Sequence, residues 1–201
     1  MGNYQGIAMS HQVLPLITPR LTLRAVQPND TPFFFQLYGD WQVTQHLLRT
    51  PAPFTEAHAR AFITSAIDGL QQAHTYTLVI ELSSRDLAMG VITLRIPSSD
   101  PAYPAAEREA DQGLGILGYS LLPSAWGQRY ASESVQRVVA FAFDALALER
   151  IQASPLKTNI ASRRLLEHLG FTIVEADILE EPLHGGPPQL GDCYMLYRSQ
   201  S

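Results

Sequence analysis

The sequence has little charge, a single cysteine and no long apolar run. Only 16% of its 201 residues are charged, and 14 basic against 19 acidic side chains leave a net charge of −5. Proteins that bind nucleic acid by neutralising its phosphates normally carry a basic face, so the charge argues against that class of partner. Because 46% of the residues are hydrophobic, the composition also argues against a chain that stays disordered.

The scarcity of cysteine and of apolar runs limits the setting of the protein. Cys193 is the only cysteine, so no disulfide can form within the chain, which suits a reducing compartment. The longest apolar run, residues 138–148, is interrupted by Asp144 and is too short to cross a bilayer. Residues 1–11 have neither a basic start nor a long apolar segment, so no signal peptide is expected. We therefore expect a cytoplasmic protein without a membrane partner.

The length and the order of the predicted elements indicate one mixed α/β domain. We expect a flexible lead-in at residues 1–16, a single domain at 17–201 and a surface insertion at 97–113, where prolines and acidic residues concentrate. Alternating apolar residues predict strands, and apolar residues spaced by three and four predict helices. The predicted order is β-α-α-β-β-β-α-β-α-β-β, with strands at 21–26, 76–82, 88–96, 114–122, 150–154, 171–179 and 193–198, and with long later helices at 128–148 and 159–169.

The first candidate site is the joint between the strand that ends at Pro123 and the long helix that follows. The joint reads Trp-Gly-Gln-Arg-Tyr-Ala-Ser-Glu over residues 126–133. Unpaired N–H groups in the first turn of a helix, together with the helix dipole, favour an anion such as a phosphate. The small side chains of Ala131 and Ser132 leave room for a ligand near the backbone. Because many strand–helix joints share these features without binding anything, the pattern alone leaves both interpretations open.

The second candidate site is the start of the helix that ends at Gly170. Asn159 is placed to cap this helix, and Ser162 follows in its first turn. Both side chains would face a ligand bound between this helix and the preceding one. A capping pair without a ligand is the alternative, and it is the commoner one for an isolated Asn-x-x-Ser sequence.

Together the two segments resemble the GNAT superfamily of acyl-CoA-dependent N-acetyltransferases, and within it the RimJ/RimL-like branch that acetylates the N-termini of ribosomal proteins. The family motif Trp-Gly-Gln/Lys-Gly-Tyr-Ala-Thr-Glu corresponds to residues 126–133. The later motifs, Asn-x-x-Ser and Leu-Glu-x-Leu-Gly-Phe, correspond to residues 159–162 and 166–171. Residues 18–24, Thr-Pro-Arg-Leu-Thr-Leu-Arg, also resemble the first strand of that branch. The resemblance covers residues 17–198.

The resemblance implies the GNAT fold, an α/β (α+β) domain with a central mixed, mostly antiparallel sheet that splays at an acyl-CoA cleft and is flanked by four helices. It implies acetyl-CoA as the cofactor, with pantetheine between strands 119–122 and 151–154 and the pyrophosphate on the amides of residues 128–132. The residues it implies for cofactor binding are Leu121, Leu122, Trp126, Gly127, Gln128, Arg129, Tyr130, Ala131, Ser132, Asn159 and Ser162.

Arg129 departs from the family pattern, which has glycine at this position. Glycine allows a positive φ and a close approach of the ligand to the backbone. Arginine restricts both but adds a guanidinium group that pairs well with phosphate. We expect cofactor binding to be retained.

The resemblance assigns catalysis to Ser162 and Asn159. Other GNAT branches carry a tyrosine acid at the position of Leu166, so Ser162 becomes the candidate donor to the leaving thiolate. A backbone N–H near Leu121 is the candidate for polarising the carbonyl oxygen.

The general base is less clear from the sequence. Relatives often have a glutamate where this chain has Ile116, and the remaining carboxylates Glu81 and Asp111 are weak candidates. A lone cysteine such as Cys193 is more often a small core residue than a nucleophile. His46, His58 and His74 lack the spacing of metal ligands, so no metal site is predicted.

The expected reaction is direct transfer of an acetyl group from acetyl-CoA to a primary amine, with a protein or peptide N-terminal α-amine as the acceptor and no covalent intermediate. The alternatives are a small-molecule amine (an amino acid, a polyamine or an antibiotic) and a non-catalytic acyl-CoA-binding module. We expect a monomer or a homodimer with no nucleic-acid partner. The aromatic residues Trp41, Phe54 and Phe62 are candidates to shape an acceptor groove, although packing is the commoner role for such residues. The acidic segment that contains Glu175, Asp177, Glu180 and Glu181 is a candidate to attract a cationic acceptor.

Overall fold

One eight-stranded sheet forms the centre of the computed structural model, which describes residues 14–183 and 186–199. Its strand order is β1-β2-β3-β4-β5-β6-β8-β7. All neighbouring strands are antiparallel except β5 and β6. A single mixed, mostly antiparallel sheet confirms the predicted fold class. The strands are β1 (Leu16–Ile17), β2 (Leu21–Ala25), β3 (Thr75–Leu82), β4 (Leu87–Arg95), β5 (Leu114–Leu121), β6 (Arg150–Ala153), β7 (Thr172–Glu180) and β8 (Gln189–Tyr197).

Six α-helices lie in the part of the chain that the structure describes. Four of them correspond to the predicted helices, and the other two, α2 and α4, are short. Thr55 caps α3, since its side chain accepts a hydrogen bond from the N–H of His58. Gly170 follows α6 with a φ of +87°, the conformation expected of a glycine that ends a helix. The helices are α1 (Thr31–Gly39), α2 (Trp41–Thr44), α3 (Glu56–Gln71), α4 (Ala105–Ala110), α5 (Tyr130–Asp144) and α6 (Ile160–His168).

The long helix α5 is shorter than predicted at both ends. It begins at Tyr130 rather than Gln128, because Arg129 has a φ of 63°, outside the helical region. It ends at Asp144 rather than Leu148, and the chain then turns back with a positive φ at Ala147.

The last strand and the first one also differ from the prediction. β8 begins at Gln189 rather than Cys193, because residues 189–191 pair with the end of β7. Residues 1–13 of the predicted lead-in lie outside the described residues. Leu16 pairs with Leu23 and is fully buried, so the folded domain begins before Ile17.

The segment 97–113 contains more structure than a plain loop. It holds a 3-10 turn at Pro97–Ser99 and the helix α4, which has no buried residue. Pro97 itself is buried at the end of β4. The segment therefore packs at its start and exposes its short helix.

The sheet has a hydrophobic cluster on each face. Leu78 and Ile80 of β3 pack in the cluster that includes α5 and α6, whereas Val79 packs in the cluster that includes α1 and α3. This alternation is expected because successive side chains of a strand point to opposite faces. Helices on both faces hold the strands in place, so the sheet can support a site at its centre.

The sheet opens between β5 and β6. The two strands pair only where Leu114, Gly115 and Ile116 face residues 150–152. Beyond Ile116, β5 continues to Leu121 and stays paired with β4 on its other side. β6 instead follows β8 to its end at Ala153. The backbone groups of β5 after Ile116 that face β6 therefore have no strand partner on that side, which is the predicted splay.

Candidate active site

The divergence of β5 and β6 leads into a cavity of about 370 Å³. Its wall combines β5, the loop before α5, the first turns of α5 and α6, and the segment from α2 to the turn that follows it. Nine of the eleven residues predicted to bind the cofactor line this cavity. Its lining residues are Gln42, Val43, His46, Leu47, Tyr119, Ser120, Leu121, Ala125, Trp126, Gly127, Arg129, Tyr130, Ala131, Ser132, Asn159, Ala161, Ser162 and Leu165.

The two predicted residues that do not line the cavity are Leu122 and Gln128. Leu122 packs in the cluster with α1 and α3, and its N–H donates to the carbonyl of Met89 at 2.8 Å. Gln128 lies at a separate depression, and its carbonyl accepts a hydrogen bond from the guanidinium of Arg20 at 3.0 Å. The side chain of Leu122 and the backbone carbonyl of Gln128 therefore support the loop from outside the cavity.

The loop before α5 turns tightly at two residues with positive φ. Gly127 has a φ of 72° and Arg129 a φ of 63°. The left-handed conformation costs a non-glycine residue roughly 1–2 kcal/mol, so Arg129 takes the backbone shape of the family's glycine at an energetic cost. No side chain caps α5, which leaves the N–H groups of its first turn at the cavity without a capping partner.

Glu133 fixes the first turn of α5 to the start of β2. Its carboxylate accepts hydrogen bonds from the Thr18 hydroxyl at 2.5 Å and from Nε of Arg20 at 2.7 Å. The Arg20 guanidinium also lies 4.7 Å from the ring centre of Tyr130. Burial opposes ionisation of Glu133, but the hydrogen bonds from Thr18 and Arg20 outweigh it and hold the pKa of Glu133 below its ordinary value. The segment with Thr18 and Arg20 and the segment with Glu133 each resemble the family in sequence, but the contact between these two segments was not predicted.

Trp126 and the strand pattern orient the backbone of Leu121. The indole Nε1 of Trp126 donates to the Leu121 carbonyl at 2.9 Å. Because the N–H of Leu122 pairs with β4, the alternation of an antiparallel pair turns the N–H of Leu121 toward the side from which β6 has diverged. This geometry leaves one backbone donor directed into the cleft.

Ser162 and Asn159 lie together at the start of α6. The Oδ1 of Asn159 accepts a hydrogen bond from the N–H of Ser162 at 3.1 Å, which confirms the predicted cap. This bond uses the side-chain oxygen of Asn159 and leaves its amide N–H groups for other partners. The hydroxyl of Ser162 lies 2.8 Å from the hydroxyl of Tyr119, across the cleft on β5.

Tyr119 is a residue that sequence reasoning placed only on a strand. Burial raises its pKa to about 12, and the hydrogen bond to Ser162 acts in the opposite direction. The phenol therefore stays protonated at neutral pH and is able to donate its proton to the Ser162 oxygen. The available signal was its position two residues before Leu121, which places both side chains on the same face of β5.

His46 is the second functional candidate that the sequence did not reveal. It follows α2, lines the cavity, and has a buried Nδ1 atom without a hydrogen-bond partner among the described residues. Burial lowers the pKa of its imidazole. In the sequence, His46 lacks the spacing of a metal ligand, and no motif near it marks a role in the cavity.

The carboxylates considered as general bases lie elsewhere. Glu81 accepts a hydrogen bond from Nε of Arg24 at 2.6 Å, and the same guanidinium binds Asp30. Asp111 ends α4 in the exposed segment after β4. Neither carboxylate lines the cavity, since the lining contains no aspartate or glutamate.

The other candidates from the sequence serve packing or lie on the surface. Cys193 is buried, and burial raises the pKa of its thiol, which disfavours the reactive thiolate. Phe54 and Phe62 pack against the cluster beside α1 and α3, whereas Trp41 is 66% exposed. Asp177 of the acidic segment forms an ion pair with Lys157.

Comparison with known proteins identifies the family. The family model described as "Acetyltransferase (GNAT) domain" matches residues 20–172. This chain belongs to the GNAT acetyltransferase family. The chain is also similar to the "Uncharacterized N-acetyltransferase p20" of Bacillus licheniformis, which supports the same family. The two are 28% identical over 159 residues, which cover 78% of this chain and 81% of that protein. The chain is therefore an acetyl-CoA-dependent N-acetyltransferase.

Solved GNAT structures share the fold of this enzyme at low sequence identity. The spermidine N-acetyltransferase of Vibrio cholerae in complex with CoA and spermine has a TM-score of 0.72 at 18% identity, covering 90% of this chain and 96% of its own. The microcin C7 self-immunity acetyltransferase MccE, in complex with acetyl-CoA and AMP, has a TM-score of 0.73 at 16% identity, with coverages of 92% and 99%. RimL, a ribosomal L7/L12 α-N-protein acetyltransferase, has a TM-score of 0.72 at 19% identity, with coverages of 90% and 92%.

The cleft of this GNAT enzyme offers open backbone and hydrogen-bond donors. A side chain added at Gly118 or Gly127 would meet no atom within 4 Å, so the backbone is open to a ligand at both positions. The cleft supplies unpaired backbone groups of β5, and the uncapped first turn of α5 favours an anion. Among the described residues there is no helix whose length and apolar character would let it span a bilayer.

Proposed function

We propose that this enzyme acetylates the N-terminal α-amine of a protein or peptide. The observation that carries the proposal is the absence of aspartate and glutamate from the cavity lining that the described residues form. A polyamine or an aminoglycoside-type antibiotic carries several positive charges, and burying them requires acidic partners. An α-amine has a pKa of about 7.7–8.0, so a large fraction is already neutral near pH 7.5 and needs no carboxylate to hold it. The motif resemblance to the RimJ/RimL-like branch supports the same acceptor.

A contact beside the turn that carries His46 supports an extended acceptor. The N–H of Leu183 donates to the carbonyl of Leu48 at 2.7 Å, which joins the segment after β7 to the turn that carries His46. Glu180 and Glu181 lie just before this contact. Their charges are outside the cavity, where they suit basic side chains of a peptide that continues from its N-terminal amine into solvent.

The proposed cofactor contacts follow the cavity from β5 to α5. Leu121 and its neighbours on β5 would bind the pantetheine through backbone groups, and Asn159 would hold it from α6. The N–H groups of Tyr130, Ala131 and Ser132 would hold the pyrophosphate, with the guanidinium of Arg129 beside them. Bound there, acetyl-CoA supplies the activated acetyl group.

The proposed chemistry uses one donor on each side of the cleft. The N–H of Leu121 would stabilise the negative charge that develops on the carbonyl oxygen. Ser162 would donate its hydroxyl proton toward the leaving sulfur. Because Tyr119 remains protonated, it is able to donate to the Ser162 oxygen, which directs the serine proton into the cleft.

We also propose a cytoplasmic location, supported by the single cysteine.

A competition between acceptors tests the proposed substrate class. Turnover would be compared for a hexapeptide with a free N-terminus, the same peptide with a blocked N-terminus and an internal lysine, spermidine, and a free amino acid. We expect kcat/KM for the free peptide to exceed each other value by about tenfold or more, equivalent to about 1.4 kcal/mol of transition-state binding. Mass spectrometry should place the acetyl group on the α-amine. A preference for spermidine or for the amino acid would overturn the peptide assignment.

A further inference from the structure

One buried polar group of the cavity has no role in the proposal above. Nδ1 of His46 is shielded from solvent and has no hydrogen-bond partner among residues 14–183 and 186–199. A buried polar atom without a partner is destabilising and calls for an explanation, such as a catalytic role. The same cavity contains Ser162 and Asn159, so His46 shares one space with the residues proposed to act on the thioester.

His46 lines the cavity together with its neighbours Gln42, Val43 and Leu47. The residues proposed to hold the cofactor lie on the other lining elements, β5, α5 and α6, so the segment from α2 to His46 is the part of the lining left for the acceptor. Because Nδ1 is shielded from solvent, Nε2 is the ring nitrogen available to an amine in the cavity.

Among residues 14–183 and 186–199, the titratable groups that share the cavity with His46 leave it as the only suitable proton acceptor in the lining. β5 contributes Tyr119, which remains protonated at neutral pH. The loop before α5 contributes Arg129 and α5 contributes Tyr130, a permanent cation and a weak acid. α6 contributes only uncharged residues to the lining. Burial lowers the pKa of His46, so its imidazole is neutral and basic at neutral pH.

We propose that His46 is the general base that removes a proton from the acceptor ammonium group before acetyl transfer. The proposal rests on the use of this cavity for N-acetylation, and it applies to any primary amine acceptor. It assigns a catalytic role to a residue that lies outside both sequence motifs.

The proton balance of the step is complete with the groups at hand. An R–NH3⁺ group gives one proton to His46 and becomes R–NH2, and the imidazole becomes an imidazolium ion. The nitrogen lone pair then forms the C–N bond as the C–S bond breaks. The nitrogen gives its second proton to the Ser162 oxygen as Ser162 gives its own hydroxyl proton to the leaving sulfur, so the serine is restored and the thiol is released. His46 finally releases its proton to water.

The test combines pH profiles of the wild type and of His46→Gln, with His168→Gln as the matched control. His168 is exposed on α6 and does not line the cavity. The probes are a hexapeptide with a free N-terminus and spermidine. We expect His46→Gln to lower kcat/KM for the peptide about tenfold at pH 7, where roughly a tenth of an α-amine with a pKa of about 8 is already neutral, and to lower it further for spermidine. The loss should recover as the pH rises through the pKa of the amine, because the amine then loses its proton to solvent. His168→Gln should match the wild type.

Two readouts besides turnover separate this proposal from a structural role. Acetyl-CoA affinity, measured by calorimetry, should be the same in His46→Gln and the wild type. The imidazole of His46, identified by NMR from the signal that His46→Gln lacks, should titrate below the ordinary value of about 6.5. The proposal for His46 is overturned if its titration midpoint lies at or above that value, or if His46→Gln loses the same factor in kcat/KM at every pH. These outcomes count against His46 whether or not the peptide is acetylated. Turnover of spermidine but not of the peptide, with the expected pH profiles, would support His46 and overturn the peptide acceptor instead.

Discussion

At the scale of single residues, the cleft depends on hydroxyl groups that hold each other in place. The Tyr119 hydroxyl lies 2.8 Å from that of Ser162, and Asn159 fixes the serine backbone. A serine hydroxyl is a weak acid by itself, so its contribution to catalysis depends on the direction in which it donates its hydrogen bond. Because the phenol of Tyr119 stays protonated, it is able to donate to the serine oxygen, and in the proposed mechanism it thereby directs the serine proton into the cleft.

Substitutions in this pair should separate chemistry from binding. Ser162→Ala should lower kcat about 100-fold, a typical contribution of proton transfer, and change acetyl-CoA affinity much less. Tyr119→Phe should lower kcat about five- to tenfold, the effect of one lost hydrogen bond of roughly 1–1.5 kcal/mol. Steady-state kinetics and calorimetry would measure both. Tyr197→Phe, at an exposed tyrosine of β8, is the matched control. Unchanged kcat in Ser162→Ala would contradict the catalytic assignment.

At the scale of elements, the turn before α5 combines a strained backbone with a positive charge. Arg129 has a φ of 63° and begins the helix whose first turn lines the cavity. The family motif has glycine here, which takes this conformation at no steric cost. The left-handed conformation of Arg129 therefore destabilises the turn, and the guanidinium group would offset this cost only by binding the ligand.

Arg129→Gly should change stability and binding in opposite directions. Relief of the left-handed arginine should raise the free energy of unfolding by about 1 kcal/mol, as measured in urea. Loss of the guanidinium should weaken acetyl-CoA binding about tenfold, as expected for a charged hydrogen bond of about 1.5 kcal/mol. Arg129→Lys keeps both the charge and the strain, so its stability should match the wild type. Equal affinity in the wild type and Arg129→Gly would exclude a phosphate contact.

The sequence predicted the elements that have strong periodicity or a motif and missed the short ones. β3, β4 and α3 have clear alternation or helical spacing, and Thr55 marks the start of α3 correctly. β1 and α2 have two and four residues, too few for a periodic signal. The start of α5 was predicted too early because the positive φ of Arg129 is not visible in a sequence without glycine at that position.

The candidate site was predictable on the cofactor side and not on the acceptor side. Asn159, Ser162 and residues 126–132 belong to motifs that resemble those of the family, so it was the resemblance that identified them as candidates. His46 lies beyond the four-residue helix α2, and only tertiary packing brings it to the cavity. Likewise, the partner of Tyr119 lies 43 residues away in the sequence, and no local pattern encodes that contact.

At the scale of the whole molecule, the cleft is held by contacts between distant segments. Glu133 on α5 binds Thr18, 115 residues earlier, and the same carboxylate binds the backbone and side chain of Arg20. These bonds attach the start of the sheet to the helix turn proposed to hold the pyrophosphate. The N-terminal strands therefore contribute to the site without lining it.

This attachment should make stability depend on pH through Glu133. Its pKa is lowered in the folded protein, because the hydrogen bonds from Thr18 and Arg20 outweigh the effect of burial. A carboxyl group of this kind stabilises the fold above its unfolded pKa of about 4.3 and loses that contribution as the pH falls through the lower, folded value. Glu133→Gln should therefore unfold more readily than the wild type at pH 7, and the difference should shrink toward pH 3.

Thermal and urea unfolding across pH 3–7 would measure this difference. Glu109→Gln is the matched control, because Glu109 is exposed on α4 and should leave stability unchanged at every pH. Since the carboxylate also orients the first turn of α5, Glu133→Gln should weaken acetyl-CoA binding at pH 7, whereas Glu109→Gln should not. A stability difference that stays constant from pH 7 to pH 3 would mean that the charge of Glu133 does not hold the two segments together.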